Sequence, residues 1–492
     1  MLVEESPSIC IIGGGLGGIG AAVRLRQKLN ITNSINIFDE NKDVGGTWLV
    51  NTYPGCACDL PSHMYSYSFE KNSNWSKQYP EQKEILEYIR NFAEKYDIYK
   101  YIQFQHRVST LKWDEIEMKW NVAVLNMKTG LESKLKFDIV ISAVGVLRMS
   151  NYPVQFDDFK GPKFHTAEWN SEVDLDGKVV AVVGSGASAV QVIPKIVDNV
   201  KELIVYQRSP AWIFPRIQFE YPEWTRKTFE KVPGLMWLWR CLLFWWFEYT
   251  FWAFRLKTPI RMGFKMITER YFKQQVKDPI LQAKLTPNYE LGCKRVAPSS
   301  DYYPALSKPN VTIINSPIKL VTANEIINED GTLCQPDVLI LATGFKTQDF
   351  FAPLKIFGEG SEDLFQKWKK EGPSIYLGIL SHSAPNLFFL TGPTTITAHN
   401  SLLFQTECQI EWVVKLVGEM IHRKAGMVTV KKCAEKEYMD FVQSSFEGTV
   451  WTGNCGSWYA NERGMMTLLW PKSLVSYYFS TRRADCSKLE FS

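Results

Sequence analysis

Near its N-terminus the chain carries a glycine-rich segment whose residue types suit the binding of a phosphate. Residues 13–18 are GGGLGG, directly after the apolar run 9–12 and directly before a helix-like run. In this strand, turn and helix order, Gly13 permits a tight turn, Gly15 lets a pyrophosphate approach the backbone, and Gly18 lets the helix pack on the strand. The helix N-terminus attracts the phosphate charge. The segment therefore predicts a dinucleotide site.

Two acidic residues follow the next predicted strand, 35–38. Asp39 and Glu40 lie somewhat beyond the expected ~20 residues after the glycines, at a place where a carboxylate can bond a ribose hydroxyl. The alternative is a glycine-rich turn that binds nothing. The carboxylates after a second strand favour the dinucleotide site.

The segment 44–59, VGGTWLVNTYPGCACD, is too rich in glycine, proline and aromatic residues to form a regular element. A long irregular loop that persists in a compact domain is usually functional. We interpret it as a loop that embraces a cofactor. Asp59, at its end, is equally suited to capping the segment that follows.

A second segment of the same kind lies in the middle of the chain. The apolar run 178–183 is followed by GSGASA at 184–189 and then by the start of a helix. Gly184, Ser185 and Gly186 occupy the turn, and Ala189 stands where the third glycine is expected. The segment predicts a second dinucleotide site.

The carboxylate that selects an unmodified ribose is missing from this second site. Arg208 and Ser209 follow its next strand, 203–206, in the place where that carboxylate would stand. A guanidinium and a hydroxyl suit a 2′-phosphate through charge-assisted hydrogen bonds. The residues favour NADPH over NADH, and the alternative is a surface arginine without a ligand.

The elements that position these motifs predict the α/β class with two dinucleotide-binding, Rossmann-like domains. Apolar strands ending in glycine at 137–145 and 337–345 are each suited to close one domain and return the chain to the other. We therefore expect a discontinuous first domain. The predicted boundaries are 1–151 for its first part, 152–322 for the second domain with an aromatic-rich helical insertion at about 212–290, and 323–492 for the rest of the first domain and a C-terminal segment.

Composition narrows the class of protein. The 492 residues, 45% of them hydrophobic and 22% charged, exclude disordered, fibrous and multi-span membrane proteins. A net charge of +4 without visible concentration argues against nucleic-acid binding. Ten cysteines and no signal region predict reduced thiols in an intracellular, cytoplasmic protein. Cys56 and Cys58 lack a second ligand pair, so we expect no metal site. The oligomeric state stays open.

Aromatic residues make up 14% of the chain and concentrate at 235–256, LMWLWRCLLFWWFEYTFWAFRL, and in the tail 450–470. The first segment has the length of a ~20-residue membrane span. Arg240 and Glu248 interrupt it and lie near one another in angle on a helix. We predict a buried or pocket-lining helix, with contact to a membrane interface as the less favoured alternative.

The segment between the two nucleotide motifs resembles the signature of a known family. Residues 159–169, FKGPKFHTAEW, match FxGxxxHxxxW, the signature of Baeyer–Villiger monooxygenases of the single-component flavin type. Its fixed positions are Phe159, Gly161, His165 and Trp169. The resemblance covers nearly the whole chain and includes ATGF at 342–345. The asparagine after the signature tryptophan, usually Pro or Asp, weakens the distinction from flavin monooxygenases that oxygenate nitrogen or sulfur.

The resemblance implies FAD in the first site and NADPH in the second. Together with the motifs above, it predicts two sets of cofactor-binding residues. The FAD set is Gly13, Gly15, Gly18, Asp39, Glu40, Gly46, Thr47, Trp48, Cys58, Asp59, Tyr65 and Val108. The NADP set is Gly184, Ser185, Gly186, Ser188, Ala189, Gln191, Arg208, Ser209 and Lys294.

Carried over residue by residue, the resemblance makes Arg295 the catalytic arginine and Asp59 the carboxylate that holds it near the flavin. In the implied reaction NADPH reduces FAD, O2 forms a peroxide at the flavin C4a carbon, and one oxygen atom is inserted beside a ketone carbonyl. A fixed guanidinium stabilises the charge that develops on oxygen. For His165 we favour a structural histidine that holds the linker between two moving domains over direct chemistry.

Two other enzyme classes use related motifs. The same cofactors support oxygenation of nitrogen, sulfur or carbon in a small molecule, and this alternative stays open. A disulfide reductase with two dinucleotide domains needs a Cys-x4-Cys pair, whereas Cys56 and Cys58 are separated by one residue. The implied partners are O2 and a small-molecule substrate. The C-terminal pattern resembles that of fungal and bacterial family members acting on aryl or polyketide-type ketones, and this resemblance implies a large apolar or aromatic ketone of secondary metabolism.

Overall fold

The structure, a computed structural model, describes residues 6–453 and 456–492. Residues 454 and 455, which belong to the predicted aromatic tail 450–470, lie outside the described part, as do residues 1–5. The β-strands are β1 (Ile9–Ile12), β2 (Ile35–Asp39), β3 (Ile102–Phe104), β4 (His106–Asp114), β5 (Lys119–Asn126), β6 (Glu132–Phe137), β7 (Ile139–Ser142), β8 (Lys163–His165), β9 (Val179–Val183), β10 (Glu202–Tyr206), β11 (Ile213–Phe214), β12 (Ala297–Pro298), β13 (Val311–Ile314), β14 (Ile318–Val321), β15 (Ile326–Asn328), β16 (Leu333–Cys334), β17 (Val338–Leu341), β18 (Lys355–Phe357), β19 (Leu380–Ser381), β20 (Ala384–Phe389), β21 (Val428–Val430) and β22 (Leu489–Phe491). The α-helices are α1 (Leu16–Leu29), α2 (Thr47–Val50), α3 (Gln82–Lys95), α4 (Ala187–Ile196), α5 (Glu223–Lys231), α6 (Leu235–Thr250), α7 (Pro259–Gln275), α8 (Pro279–Leu285), α9 (Tyr302–Leu306), α10 (Leu364–Glu371), α11 (Leu402–Arg423), α12 (Lys432–Ser444) and α13 (Leu474–Thr481).

A six-stranded sheet with the order β19-β20-β7-β1-β2-β3 holds the first nucleotide motif. The fully buried strand β1 pairs in parallel with β2 on one side and β7 on the other. Continuous apolar strands of this kind are typical of a parallel sheet covered on both faces. Helix α1 follows the carboxyl end of β1, the edge at which open α/β sheets bind ligands, and packs against α11.

A five-stranded sheet with the order β13-β10-β9-β17-β8 holds the second motif, and each of its strand pairs is parallel. Helix α4 follows β9 as α1 follows β1. The predicted α/β class with two nucleotide-binding folds is therefore confirmed. The four-stranded sheet β18-β4-β5-β6 and the antiparallel sheet β14-β15-β16 are separate, smaller sheets.

The chain passes between the two sheets along two adjacent backbone segments. The backbone N–H of Asn151 donates to the Gly344 carbonyl at 2.9 Å, and Ser150 forms an antiparallel bridge with Phe345. Strand β17 pairs with β8 and β9, although it lies beyond the predicted boundary at 322. We therefore propose that the second domain ends near Phe345, because β17, its last strand, joins the five-stranded sheet only after the chain has formed the separate sheet β14-β15-β16.

Helices α5 to α8 lie between β11 and β12, two short strands that pair with one another. The sequence predicted an aromatic-rich helical insertion here. The helices are present, and their status as an insertion into the NADP domain stays a prediction.

Helix α6 corrects one prediction, because its aromatic side chains are not buried. Trp245 is 60% exposed, whereas both charged residues face inward. Arg240 donates to the Ser66 hydroxyl at 2.8 Å, and Glu248 accepts from the Asn400 amide at 2.9 Å. Both charged side chains form hydrogen bonds in the protein interior. The aromatic rings on the opposite side of the helix are therefore exposed to solvent. No helix within the described ranges has both the length and the apolar character needed to cross a bilayer.

Cys293 differs from the expectation that the cysteines are reduced thiols. Cys293 is disulfide-bonded, a pairing that spacing along the sequence could not show. Within residues 6–453 and 456–492 the free thiols are Cys10, Cys56, Cys58, Cys241, Cys334, Cys408, Cys433 and Cys486.

Candidate active site

The first glycine turn needs glycine at two of its predicted positions. Gly13 has a φ of +109°, and a Cβ there would lie 2.6 Å from the carbonyl oxygen of Ala143. A Cβ on Gly18 would lie 1.9 Å from the carbonyl oxygen of Gly13. Gly15 is the N-cap of α1, so the first N–H groups of this helix have no intrahelical acceptor. The cradle fits a pyrophosphate.

The two carboxylates after β2 have different surroundings. Asp39 is buried, and its Oδ2 accepts from the backbone N–H of Gly14 at 2.6 Å. Burial raises the pKa of Asp39. Glu40 pairs with Arg107 at 2.7 Å and Arg148 at 3.0 Å; burial opposes its ionisation, but the two arginines hold its pKa below the usual value. Asp39 therefore supports the turn, whereas Glu40 is held between two arginines, and its contact with a ribose stays a prediction.

The loop 44–59 lies directly against this glycine turn. A Cβ on Gly46 would lie only 3.2 Å from the Cα of Gly15. At the loop's first helical turn, the indole N–H of Trp48 donates to the Tyr65 hydroxyl at 2.8 Å, and the two rings meet edge to face. The loop is therefore positioned to cover a cofactor bound at the turn.

Three further residues of the predicted FAD set lie in the loop 44–59 or in strand β4. Thr47 begins α2, and Val108 is buried in β4. Cys58 is also buried, which raises the pKa of its thiol to about 12. A thiol with such a pKa stays protonated and unreactive at neutral pH, which argues against disulfide chemistry.

Arg295 and Asp59 meet although 236 residues separate them in sequence. The Nε and Nη2 groups of Arg295 donate to Asp59 Oδ2 at 3.0 and 2.9 Å. The arginine side chain is 44% exposed and that of the aspartate 14%. Partial desolvation by the surrounding protein opposes the charge of Arg295, but Asp59 and Tyr459 raise its pKa. The result is a fixed guanidinium with one edge still open to a ligand.

Gln191 connects this pair to the second nucleotide fold. Its Nε2 donates to Asp59 Oδ1 at 3.3 Å and to the Ala57 carbonyl at 3.0 Å, while its Oε1 accepts from the Tyr53 hydroxyl at 2.8 Å. A Cβ on Gly55 would lie 2.5 Å from the Gln191 carbonyl oxygen, so loop and helix α4 are in close contact. Gln191 thus couples the two folds, and its contact with NADP stays a prediction.

The second glycine turn repeats the geometry of the first. Gly184 has a φ of +125°, and a Cβ there would lie 2.3 Å from the Ala342 carbonyl oxygen. Gly186 is the N-cap of α4, on which Ser188 and the fully buried Ala189 lie. The Ser185 hydroxyl donates to the Ser209 carbonyl at 2.6 Å, which ties the turn to the segment after β10.

Two cations stand beside the second turn. Arg208 is exposed and makes no ion pair within residues 6–453 and 456–492. Burial and the charge of Arg208 lower the pKa of Lys294, whose Nζ lies 4.7 Å from the centre of the Tyr289 ring. Two neighbouring cations that repel one another suit a multiply charged anion such as a phosphate, and their contact with NADP stays a prediction.

The signature histidine lies where the chain passes between the two folds. His165 is fully buried, and its Nδ1 accepts from the Ala167 N–H at 3.1 Å. Its ring packs between those of Tyr152 and Phe345, at 5.6 and 5.7 Å between centres. Burial lowers the pKa of His165, so the ring is neutral at neutral pH. These contacts agree with a structural role, which stays a prediction.

The other signature positions also pack within the second fold. Phe159 is buried, and a Cβ on Gly161 would lie 2.8 Å from its ring. Trp169 meets Phe164 edge to face with ring centres 5.0 Å apart. All four fixed positions of the signature are therefore packed against neighbouring side chains, and their role as a hinge stays a prediction.

Comparisons with known proteins agree with this geometry. A sequence model of flavin-binding monooxygenase-like proteins matches residues 7–227. A Baeyer–Villiger monooxygenase of Pseudomonas aeruginosa is 36% identical over 97% of this chain and 90% of its own length. The chain belongs to the Baeyer–Villiger monooxygenase family.

Solved structures of this family share the whole fold. OTEMO in complex with FAD and NADP is 27% identical, with a TM-score of 0.85 over 99% of this chain and 100% of that chain. Cyclohexanone monooxygenase from Rhodococcus sp. Phi1 bound to NADP+ is 25% identical, with a TM-score of 0.87 over the same shares. In this Baeyer–Villiger monooxygenase, therefore, the two Rossmann-like domains correspond to FAD and NADP domains.

The sequence motifs missed one residue beside the arginine of this Baeyer–Villiger monooxygenase. Tyr459 is buried and lies close enough to Arg295 for the two to interact electrostatically. Burial raises the pKa of Tyr459 to about 12, although Arg295 opposes this shift, so the phenol stays neutral and able to donate a hydrogen bond. Its place in the aromatic tail 450–470 was the available signal, but spacing alone did not connect the tail to Arg295.

Proposed function

We propose that the protein is an FAD-dependent, NADPH-consuming Baeyer–Villiger monooxygenase that inserts one oxygen atom of O2 beside a ketone carbonyl. In this reaction ketone, O2, NADPH and a proton give an ester or lactone, water and NADP+. The observation that carries the proposal is the Arg295–Asp59 pair, which Gln191 joins to the second nucleotide fold. The pair stands at the contact between the two cofactor folds, where such chemistry must occur.

The residues of the first fold fit FAD. The turn at Gly13 and Gly18 has no room for side chains and presents the start of α1 to the pyrophosphate. Glu40 would bond the ribose, and the loop with Trp48 and Tyr65 would cover the ring system. Bound there, FAD supplies the redox chemistry that activates O2.

The residues of the second fold fit NADPH. The turn at Gly184 would hold the pyrophosphate, and Arg208 with Lys294 would bind the 2′-phosphate. Lys294 directly precedes Arg295, so one segment would contact both NADPH and the reacting centre. This arrangement would link the presence of the dinucleotide to the position of the catalytic arginine.

Arg295 would stabilise negative charge on the reacting oxygen atoms and polarise the ketone carbonyl. Asp59 occupies one edge of its guanidinium, which fixes the orientation of the other edge. A cation that is oriented before the reaction needs little reorganisation during it, so its electrostatic stabilisation of the transition state is large. Asp59 acts as a positioning residue and does not transfer the proton.

The substrate we propose is a large apolar or aromatic ketone, in secondary metabolism inside the cell. Aromatic rings surround the arginine segment: the Trp451 indole donates to the Gly292 carbonyl at 3.1 Å and stacks on Phe254 at 5.2 Å between centres. The Tyr289 ring centre lies 4.7 Å from Lys294 Nζ, and Tyr459 interacts electrostatically with Arg295. Rings of this kind favour an apolar substrate.

A substrate panel tests the proposal. Ketones, amines and sulfides are supplied separately to the FAD-loaded enzyme with NADPH, and the products are identified by mass spectrometry alongside NADPH consumption. We expect esters or lactones from apolar ketones. N-oxides or sulfoxides without any ester would instead support the alternative oxygenation of nitrogen or sulfur. Measuring products matters because NADPH oxidation alone also reports unproductive peroxide release.

Replacing Arg208 by alanine tests the assignment of the second site. We expect the KM for NADPH to rise about tenfold or more, since a charge-assisted bond to the phosphate is lost, while the KM for NADH changes little. Lys201→Ala removes another exposed cation of the same fold and serves as the control. Equal effects on NADPH and NADH would contradict the 2′-phosphate assignment.

A further inference from the structure

Helix α6 presents an apolar stripe to the outside of the molecule. Leu238, Leu242, Trp245 and Tyr249 follow one another at intervals of four, three and four residues, so they share one face of the helix. Their exposed fractions are 49%, 58%, 60% and 50%. A surface helix of a water-soluble protein normally turns such a stripe toward the core. Here the stripe faces away from it.

Buried hydrogen bonds on the opposite side fix this orientation. Arg240 donates to the His63 carbonyl and, at 3.1 Å, to the Ser66 carbonyl. Glu248 accepts from the backbone N–H of Val475 at 3.2 Å. Rotating the helix to bury its rings would leave both charges without partners, which is far more costly than exposing apolar surface. The outward orientation of the stripe is therefore determined by the hydrogen bonds of the folded protein.

Neighbouring tryptophans enlarge the stripe. Helix α6 contacts the 3-10 turn Phe251–Phe254, which in turn contacts α7. We define the aromatic face as Trp237, Leu238, Leu242, Trp245, Trp246, Tyr249 and Trp252, each of them 49% exposed or more. Within residues 6–453 and 456–492, none of its four indole N–H groups donates a hydrogen bond to protein. These N–H groups are available to an outside acceptor.

The part of the sequence that contains the aromatic face is basic. Residues 223–273 contain ten Lys or Arg and four Asp or Glu. Two of the four carboxylates are already matched, Glu223 by Lys227 and Glu248 by its buried partners. Lys231, Lys257, Arg270 and Lys273 in this stretch are exposed and form no ion pair with any other residue that the structure describes. The excess of positive charge favours an anionic partner.

We propose that the aromatic face docks the protein on the surface of an anionic lipid bilayer. Tryptophan and tyrosine prefer the membrane interface, where the ring meets acyl chains and the N–H or O–H meets the headgroups. Basic residues beside an inserted apolar face add attraction to anionic lipids. Arg240 and Glu248 stay inside the protein, so no charge has to enter the lipid. The helix lies in the interface without crossing it. This proposal does not depend on the ketone chemistry.

Vesicle binding of the FAD-loaded protein tests the proposal. We expect the protein to sediment with phosphatidylglycerol–phosphatidylcholine vesicles, and to do so more weakly with pure phosphatidylcholine or at high salt. The triple variant Trp237→Ala, Trp245→Ala, Trp246→Ala should bind the vesicles about tenfold more weakly, because it loses most of the apolar area that inserts into the lipid. Brominated lipids should quench tryptophan fluorescence of the unmodified protein.

A matched control removes exposed apolar side chains elsewhere. The triple variant Ile116→Ala, Leu131→Ala, Val154→Ala changes residues that are 94%, 72% and 82% exposed and should bind vesicles as the unmodified protein does. Absence of vesicle binding, or equal binding by both triple variants, would overturn the proposal. A dimer in sedimentation velocity that the tryptophan variant alone dissociates, without vesicle binding, would show that a second copy covers the face. If the tryptophan variant fails to retain FAD, the quenching experiment decides: unquenched fluorescence overturns the proposal.

Discussion

The Arg295→Ala enzyme is expected to make ester about 100- to 1,000-fold more slowly than the unmodified enzyme, because it loses the oriented cation that stabilises charge on oxygen. Its FAD should still be reduced by NADPH, since no residue of either glycine turn changes. Arg295→Lys keeps a positive charge but cannot make the two bonds to Asp59 Oδ2, so we expect only partial recovery. Single-turnover flavin reduction and product formation, measured separately, check both expectations.

Arg483→Ala is the control for this experiment. Arg483 is exposed and lies in the C-terminal part of the chain, away from the site residues in sequence. Its replacement should leave flavin reduction and ester formation unchanged. If Arg295→Ala formed ester at the rate of the unmodified enzyme, the catalytic assignment of Arg295 would be wrong.

The second large effect is expected at the first glycine turn. Gly18→Ala places a methyl group 1.9 Å from the Gly13 carbonyl oxygen, so the turn has to move away from the helix. We expect the purified protein to carry about a tenth of the normal FAD or less, because the pyrophosphate cradle is lost. The ratio of flavin absorbance to protein absorbance measures this directly.

Gly17→Ala is a closely matched comparison. It lies one residue away on the same helix, and its Cβ would meet nothing nearer than 3.4 Å, which is ordinary contact. This variant should retain FAD and, since alanine favours a helix over glycine, unfold at an equal or higher temperature. Similar FAD loss in both variants would show that the turn is not the pyrophosphate cradle.

The glycine turns could be predicted from sequence because their determinants are local. A strand, a turn and a helix lie within about twenty residues, and the positive φ that favours glycine at Gly13 and Gly184 belongs to the turn itself. The same holds for Arg208, which follows its strand directly. The separate roles of Asp39 and Glu40 could not be predicted, because they depend on Arg107 and Arg148, which other strands and loops supply.

The pairing of Arg295 with Asp59 could not be predicted from the local sequence pattern alone. Nothing in the sequence around Asp59 distinguishes a cap from a partner of Arg295, and only the family resemblance joined the two. The bridge through Gln191 depends on the packing of two domains, which no spacing records. Helix α6 was mispredicted for a related reason: the partners of Arg240 and Glu248 come from distant segments, so the inward side of the helix was hidden in the sequence.

Labelled oxygen gives the most direct test of the central claim. The purified FAD-loaded enzyme is supplied with NADPH, the best ketone of the panel and ¹⁸O2, and the product is fragmented in a mass spectrometer. We expect one ¹⁸O atom per ester, in the alkoxy oxygen, with the carbonyl oxygen retained from the ketone. NADPH oxidation that yields only labelled hydrogen peroxide, or an ester whose alkoxy oxygen carries no label, would contradict the account.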